Sequence, residues 1–191
     1  MPPPLTGATY MNSIVFNNHS IINSFRINKI GISYSKSVRD LGRFQIKKVF
    51  VFLFTAIKFV NCLITKRPHI IYFQPSIAGT TYYRDLVFIL IGKIFSKKFI
   101  LHLHGKGISE ASKKNKISAF LYKLGLNNQF LIVLSKNQIK DVSFLNPKKV
   151  YVVNNGIPLQ NNTINDEKSN DNTTFKFLFL SNLLKSKGIL D

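Results

Sequence analysis

The chain is poor in cysteine and in acidic side chains. Its 191 residues include one cysteine, no tryptophan, and 8 Asp and Glu against 27 Lys and Arg. A lone thiol excludes a disulfide framework and a cysteine metal cluster, and it is typical of proteins from a reducing compartment. The net charge of +19 indicates attraction to polyanions such as nucleic acid, phosphorylated ligands or anionic lipid headgroups.

Signal-peptide features and long apolar runs are also lacking. The first residues, MPPPLTGAT, have neither a charged region nor an apolar core. The most apolar run, residues 49–57, is followed by Lys58 and Asn61 and falls short of the ~18 residues expected of a spanning helix. We expect a buried or interfacial helix here, with a membrane span as the alternative. We therefore place the protein in the cytoplasm, where it can also lie peripherally at the inner face of the membrane.

The basic residues are spread along the chain. Residues 1–60, 61–120 and 121–191 each carry between 8 and 10 of them, and no dense block occurs. A nucleic-acid-binding tail concentrates its charge in a block, so this distribution favours a basic face that rests on an anionic membrane. We expect no nucleic-acid partner on this interpretation.

Helical and strand patterns alternate along the chain. An early helical pattern carries apolar residues from Met11 to Phe25, and a short alternation at Ile30, Ile32 and Tyr34 resembles a strand. The later predicted helices cover 41–66, 80–95, 113–126 and 136–144, and the later predicted strands cover 69–73, 99–104, 130–134 and 150–153. Repeated β-α order predicts an α/β fold, a Rossmann-like parallel sheet with helices on both faces.

A change in composition divides the chain. Residues 159–174 contain one leucine, one isoleucine and no aromatic residue, so they cannot bury a core and are predicted to be an interdomain linker. We therefore expect residues 1–158 to form the N-terminal Rossmann-like domain and 175–191 to be the truncated start of a second domain, with addition of a strand at 175–180 to the first sheet as the alternative. The loop-like start at 2–7 has no strand before it, so we expect one position of the sheet to be empty.

The segment KKFILHLHGKG at 97–107 takes a short apolar strand directly into two histidines and two glycines. In open α/β sheets ligands bind beyond the carboxyl ends of the strands, so His102 and His104 are candidates for a binding site. The alternative is a pair of histidines that only pack within a turn. We expect His102 to project from the opposite side of the strand and therefore favour His104.

Four short motifs follow one another along the chain. They are PPPLTGA at 2–8, HLHG at 102–105, VLSK at 133–136 with VYVVNNGI at 150–157, and FLSNLLKSKGI at 179–189. In this order they resemble the family-4 glycosyltransferases of the GT-B fold. The resemblance implies two Rossmann-like domains facing a cleft, an acceptor-binding N-terminal domain, and a nucleotide-sugar donor held mainly by the C-terminal domain. It also implies sugar transfer with retention and no metal or other cofactor.

The resemblance assigns roles to several residues. It places Gly7, at a loop that enters a helix, near the donor diphosphate, and His104 as the catalytic histidine that faces the donor sugar. Lys187 matches a lysine that pairs with the donor phosphates. Asn182 stands where the family usually has an arginine, which removes a charged contact to the donor.

Further roles concern the hinge and the acceptor. Asn155 and Gly156 resemble the turn at the end of the N-terminal domain and are expected to act as a hinge. Arg84 can clamp a phosphate or carboxylate of the acceptor, with an ion pair on its own helix as the alternative. Glu110 and Glu167 are the only glutamates and do not form the family's E-x7-E pair. We therefore expect these 191 residues alone to show no sugar transfer.

The leading interpretation is a fragment of a retaining glycosyltransferase of the hexosyltransferase type. It would move a sugar from a nucleotide sugar to a glycan or lipid-linked acceptor in surface polysaccharide synthesis. The main alternative is a non-catalytic basic Rossmann-like module that binds nucleic acid or an anionic membrane, and a degenerate pseudoenzyme is a third.

Overall fold

A computed structural model of the chain describes residues 7–32, 45–95 and 97–156, which all belong to one compact unit. The helices of this part are α1 Gly7–Phe16, α2 His19–Ser24, α3 Ile46–Thr65, α4 Gly79–Ile94, α5 Ile108–Ser112, α6 Lys116–Leu126 and α7 Ile139–Val142. The strands are β1 Ile70–Phe73, β2 Lys98–Leu103, β3 Phe130–Val133 and β4 Lys149–Val152.

The four strands form one parallel sheet in the order β1-β2-β3-β4. Phe73 pairs with Leu101, Leu101 with Leu131, and Leu131 with Val150. Because neighbouring parallel strands follow each other in the chain, right-handed crossovers place the connecting helices α4 to α7 on one face of the sheet. The predicted α/β class and its Rossmann-like parallel sheet flanked by helices are confirmed.

The hydrophobic core lies between that face and the connecting helices. Its strand residues alternate with the pleat, and its other residues come from the segments that follow the strands. The sheet gives Phe99, Leu101, Leu103, Leu131 and Val133; helices α4 to α7 give Tyr82, Leu86, Ile89, Ile108, Tyr122, Leu126 and Val142, and Leu145 follows α7. The rings of Tyr82 and Tyr122 stack with centroids 3.9 Å apart. This core fixes β2 and β3 as the buried centre of the sheet.

The other face of the sheet is less evenly covered. Tyr72 and Ile100 share a register position, as do His102 and Ile132. Phe16 of α1 packs edge-on against Tyr72 with ring centroids 6.1 Å apart, so α1 covers the β1 side of this face. Tyr151 of β4 is 42 % exposed. The polar residues of β1 and β2 therefore lie under the end of α1.

Several predicted bounds are corrected. The predicted helix 113–126 starts only at Lys116, because the Asn115 side chain accepts the Ser118 backbone N–H at 2.7 Å and caps it. Asn18 likewise caps α2 and divides the early helical pattern. The predicted strand at Ile30 and Ile32 is wrong: both residues are half-buried in irregular backbone. Tyr34 and the predicted segments 159–174 and 175–191 lie outside the described residues.

Candidate functional site

The candidate site lies where β1 and β2 end. Gln74 follows β1 and His104 follows β2, and the carboxyl ends of parallel strands meet at one edge of the sheet. Two glycines shape the turn after β2. A Cβ at Gly105 would stand 2.6 Å from Ile77 Cδ1, and Gly107 has φ of 119°, which L side chains rarely adopt. The backbone at Gly107 therefore requires glycine, whereas a side chain at Gly105 would displace the end of the Ile77 side chain.

His102 and His104 lie side by side. Their ring centroids are 4.1 Å apart, with 37° between the ring planes. The expectation that His102 projects from the opposite side of the strand is wrong, because residues two apart on a strand share a face. His102 is 5 % exposed and His104 is half-buried. The site thus contains two adjacent imidazoles.

Two consecutive side-chain hydrogen bonds link Gln74 to Tyr72 and Tyr72 to His102. Gln74 Nε2 donates to Tyr72 Oη at 3.1 Å, and Tyr72 Oη lies 2.6 Å from His102 Nδ1. Because the tyrosine hydroxyl already accepts from Gln74, its own proton is the one that donates to Nδ1. In this arrangement His102 carries its ring proton on Nε2.

Burial sets the charge of this cluster. It lowers the pKa of His102 to about 4, with a smaller contribution from His104 in the same direction. Burial also lowers the pKa of His104. It raises the pKa of Tyr72, against the smaller opposite effect of the Gln74 bond. Both imidazoles are therefore neutral at pH 7, and the tyrosine keeps its proton.

Three buried side-chain polar atoms have no hydrogen-bond partner within the described part of the chain, namely Asn12 Oδ1, His102 Nε2 and His104 Nε2. Two of them belong to the adjacent imidazoles. Asn12 lies one helical turn before Phe16, on the face of α1 that reaches Tyr72. Each such atom costs about 1–3 kcal/mol when left unsatisfied, so the two adjacent imidazole Nε2 atoms at the end of β2 indicate a place for a polar ligand.

Asp141 fixes the turn that follows His104. Its buried carboxylate accepts the backbone N–H of Gly107 at 2.8 Å, of Ile108 at 3.0 Å and of Ser109 at 3.0 Å. These are the first N–H groups of α5, which a helix leaves without internal partners. Sequence reasoning missed Asp141, since it lies 32 residues or more from its partners. Tyr72 and Gln74 were missed for the same kind of reason.

The remaining predicted site residues lie apart from the histidine pair or beyond what is described. Gly7 begins α1, with nothing within 4 Å of the place its Cβ would take. Asn155 and Gly156 are exposed just after β4. Their roles near the donor and at the hinge stay predictions. Lys187 and Asn182 fall outside the described residues.

Arg84 makes an ion pair with its neighbour. Its Nε and Nη2 lie 2.8 Å and 2.6 Å from Asp85 Oδ1, and Asp85 Oδ2 accepts from the backbone N–H and the hydroxyl of Ser76. This is the ion pair named as the alternative for Arg84. A role in acceptor binding stays a prediction.

Among residues 7–32, 45–95 and 97–156, no three His, Cys, Asp or Glu side chains gather where they could hold a metal ion. Comparison of the chain with known protein families, curated proteins and solved structures finds no match. What the site can bind is therefore decided from its own chemistry.

Removal of the Tyr72 hydroxyl tests the hydrogen bonds that link Gln74, Tyr72 and His102. Tyr72→Phe is expected to lower the free energy of unfolding by about 1 kcal/mol in urea, because one net hydrogen bond is lost. It should also shift the imidazole ¹⁵N resonances of His102. Tyr83→Phe removes a hydroxyl that lies 2.9 Å from Ser118 Oγ and serves as the matched control. An unchanged His102 spectrum in Tyr72→Phe would show that the hydroxyl does not set its tautomer.

Proposed function

We propose that this chain is the acceptor-side part of a retaining glycosyltransferase of the GT-B type, and that His102 and His104 contact the sugar of a nucleotide-sugar donor. The observation that carries the proposal is the pair of neutral imidazoles with unpartnered, buried Nε2 atoms at the carboxyl edge of the sheet. The ordered motifs add to it, because they resemble the same enzymes.

The protonation state of the pair suits a sugar hydroxyl. Neutral imidazole offers one N–H donor and one acceptor, whereas charged imidazole offers only donors and favours anions. Tyr72 holds His102 with the proton on Nε2, so this atom donates. His104 Nε2 accepts when the other ring nitrogen carries the proton. A hydroxyl both accepts and donates, so one sugar hydroxyl or two adjacent ones can satisfy both atoms.

The rest of the donor is anionic, and the chain is strongly basic. The net charge of +19 raises the local concentration of a diphosphate. Gly7 starts α1 in open space, where the backbone N–H groups of the first turn can face a phosphate. Lys187 joins them on the resemblance, and Arg84 is the candidate acceptor contact. The product class that the resemblance suggests is a surface polysaccharide, built on a glycan or a lipid-linked acceptor.

Equilibrium binding to the full chain tests this proposal. UDP-glucose and GDP-mannose are the donor probes, and UDP and GDP are the same nucleotides without sugar. His104→Ala is expected to weaken binding of the accepted nucleotide sugar about tenfold, the effect of roughly one lost hydrogen bond with its orphaned partner. Affinity for the bare nucleotide should not change, because the histidines contact only the sugar.

His69→Ala is the matched control, since His69 is exposed just before β1. If a nucleotide sugar binds the chain and His104→Ala leaves its affinity unchanged, or if His104→Ala weakens the bare nucleotide equally, the proposal is wrong. Salt-sensitive binding of random-sequence DNA that nucleotide sugars do not displace would instead favour the basic-module alternative.

A further inference from the structure

One face of α3 exposes large apolar side chains along its length, with the exposed Asn61 between Ile57 and Ile64 as the one polar interruption. They recur at helical spacing and are between 41 % and 70 % exposed. We call them the α3 stripe: Ile46, Val49, Phe50, Leu53, Phe54, Ile57 and Ile64. Soluble proteins rarely leave contiguous apolar patches of this extent without a partner.

The opposite face of α3 attaches the helix to the body of the protein. Thr55 and Leu63 are buried there. Phe52 and Phe59 pack edge-on against Phe88 of α4, with ring centroids 5.4 Å and 5.8 Å apart. The helix is therefore fixed in place with its stripe directed away from the core.

Basic side chains border the stripe. Lys47 and Lys58 lie along it, with Lys58 Nζ 4.4 Å from the centre of the Phe54 ring, and Lys66 and Arg67 follow the end of the helix. No acidic residue occurs between 41 and 84. In the described part of the chain Glu110 is the only exposed acidic residue, because Asp85 and Asp141 are buried.

We propose that the α3 stripe lies in the plane of an anionic lipid bilayer. Apolar side chains directed into the acyl boundary with lysines beside them are the composition of an interfacial helix. Anionic headgroups complement the basic border, whereas a second copy of a chain with net charge +19 would be repelled.

A membrane span is the competing geometry. Within the described residues α3 is the one helix that is long and apolar enough to cross a bilayer, by length and composition only. Lipid would then surround the helix on all sides, which requires Phe52, Phe59 and Leu63 to leave the body of the protein. In-plane docking keeps those contacts.

Tryptophan reporters distinguish these geometries, because the chain has no tryptophan of its own. Phe50→Trp and Ile64→Trp are expected to show blue-shifted emission with phosphatidylglycerol vesicles. The shift should be much weaker with phosphatidylcholine vesicles or in high salt. Quenching by brominated lipids should place both reporters at the same shallow depth. Phe120→Trp on α6 is the matched control, since Phe120 is 63 % exposed, and its emission should not shift.

Loss of binding provides the second measurement. Phe50→Ser combined with Phe54→Ser should reduce cosedimentation with the anionic vesicles at least tenfold, while Phe120→Ser should leave it unchanged.

Absence of vesicle binding, or an equal loss of binding in Phe120→Ser, overturns the proposal. Reporters at depths that differ by about 21 Å indicate a span and also overturn it. A blue shift of tryptophan emission that increases with protein concentration in the absence of lipid indicates self-association and would also overturn the proposal. None of these outcomes depends on nucleotide-sugar binding.

Discussion

Asp141→Ala is expected to lower the free energy of unfolding by about 3 kcal/mol at pH 7, as measured by urea denaturation. The carboxylate accepts three backbone N–H groups at distances of 2.8–3.0 Å, and its side chain is buried. Charge-assisted hydrogen bonds of this kind are about twice as strong as neutral ones. Alanine would remove all three at once and leave the first N–H groups of α5 without their acceptor.

The loss of stability in Asp141→Ala should be localised to the turn that leads into α5. Amide exchange should accelerate most at Gly107, Ile108 and Ser109, because these residues lose their acceptor directly. Asp141→Asn keeps one side-chain oxygen as an acceptor, so we expect an intermediate loss. Glu110→Ala is the control, since Glu110 is an exposed acid in the first turn of the same helix. A loss below 1 kcal/mol in Asp141→Ala would contradict the role we give this carboxylate.

Acidification should destabilise the protein through His102. Burial lowers the pKa of His102 in the folded chain to about 4 from its ordinary value of 6.5. The unfolded chain therefore binds a proton first as the pH falls. The stabilisation is complete above about pH 6.5 and is lost as the pH falls towards about 4. Between pH 7 and pH 4.5 we expect this group to reduce the free energy of unfolding by about 2 kcal/mol.

The comparison of two variants isolates that contribution. Urea unfolding between pH 7 and pH 4.5 should show a shallower pH dependence in His102→Gln than in the unmodified chain. His69→Gln is the matched control, because His69 is exposed. Contributions that all three chains share cancel in the difference between them. Identical pH dependence in His102→Gln and the unmodified chain would show that His102 is not held neutral.

Most of the fold could be predicted from local patterns. The apolar helix α3 and the strands β1 to β4 were each predicted within about five residues of their observed bounds, because burial against one face imposes a clear periodicity. The breaks at Asn18 and Asn115 were missed, although an asparagine three residues before a capped N–H is a signal that sequence alone provides. The strand predicted at Ile30 failed because two alternating apolar residues are too few to specify a sheet partner.

The site was predicted only in part. Its position at the carboxyl end of β2 follows from the strand pattern and the two glycines. The shared side of His102 and His104 also follows from strand geometry, and the sequence interpretation applied the alternation rule wrongly. The bonds of Tyr72 to His102 and of Asp141 to the turn could not be predicted, because they join residues 30 or more positions apart that only the tertiary fold brings together. The charge of the histidines follows from their burial in that fold.

The most direct test of the account is a ¹H–¹⁵N spectrum of the histidine side chains in the full chain at pH 7. The account requires both His102 and His104 to be neutral, with the His102 proton on Nε2. Addition of the accepted nucleotide sugar should move both Nε2 resonances, and the bare nucleotide should leave them in place. A charged imidazole at either position, or a nucleotide sugar that binds the chain without moving these resonances, would contradict it.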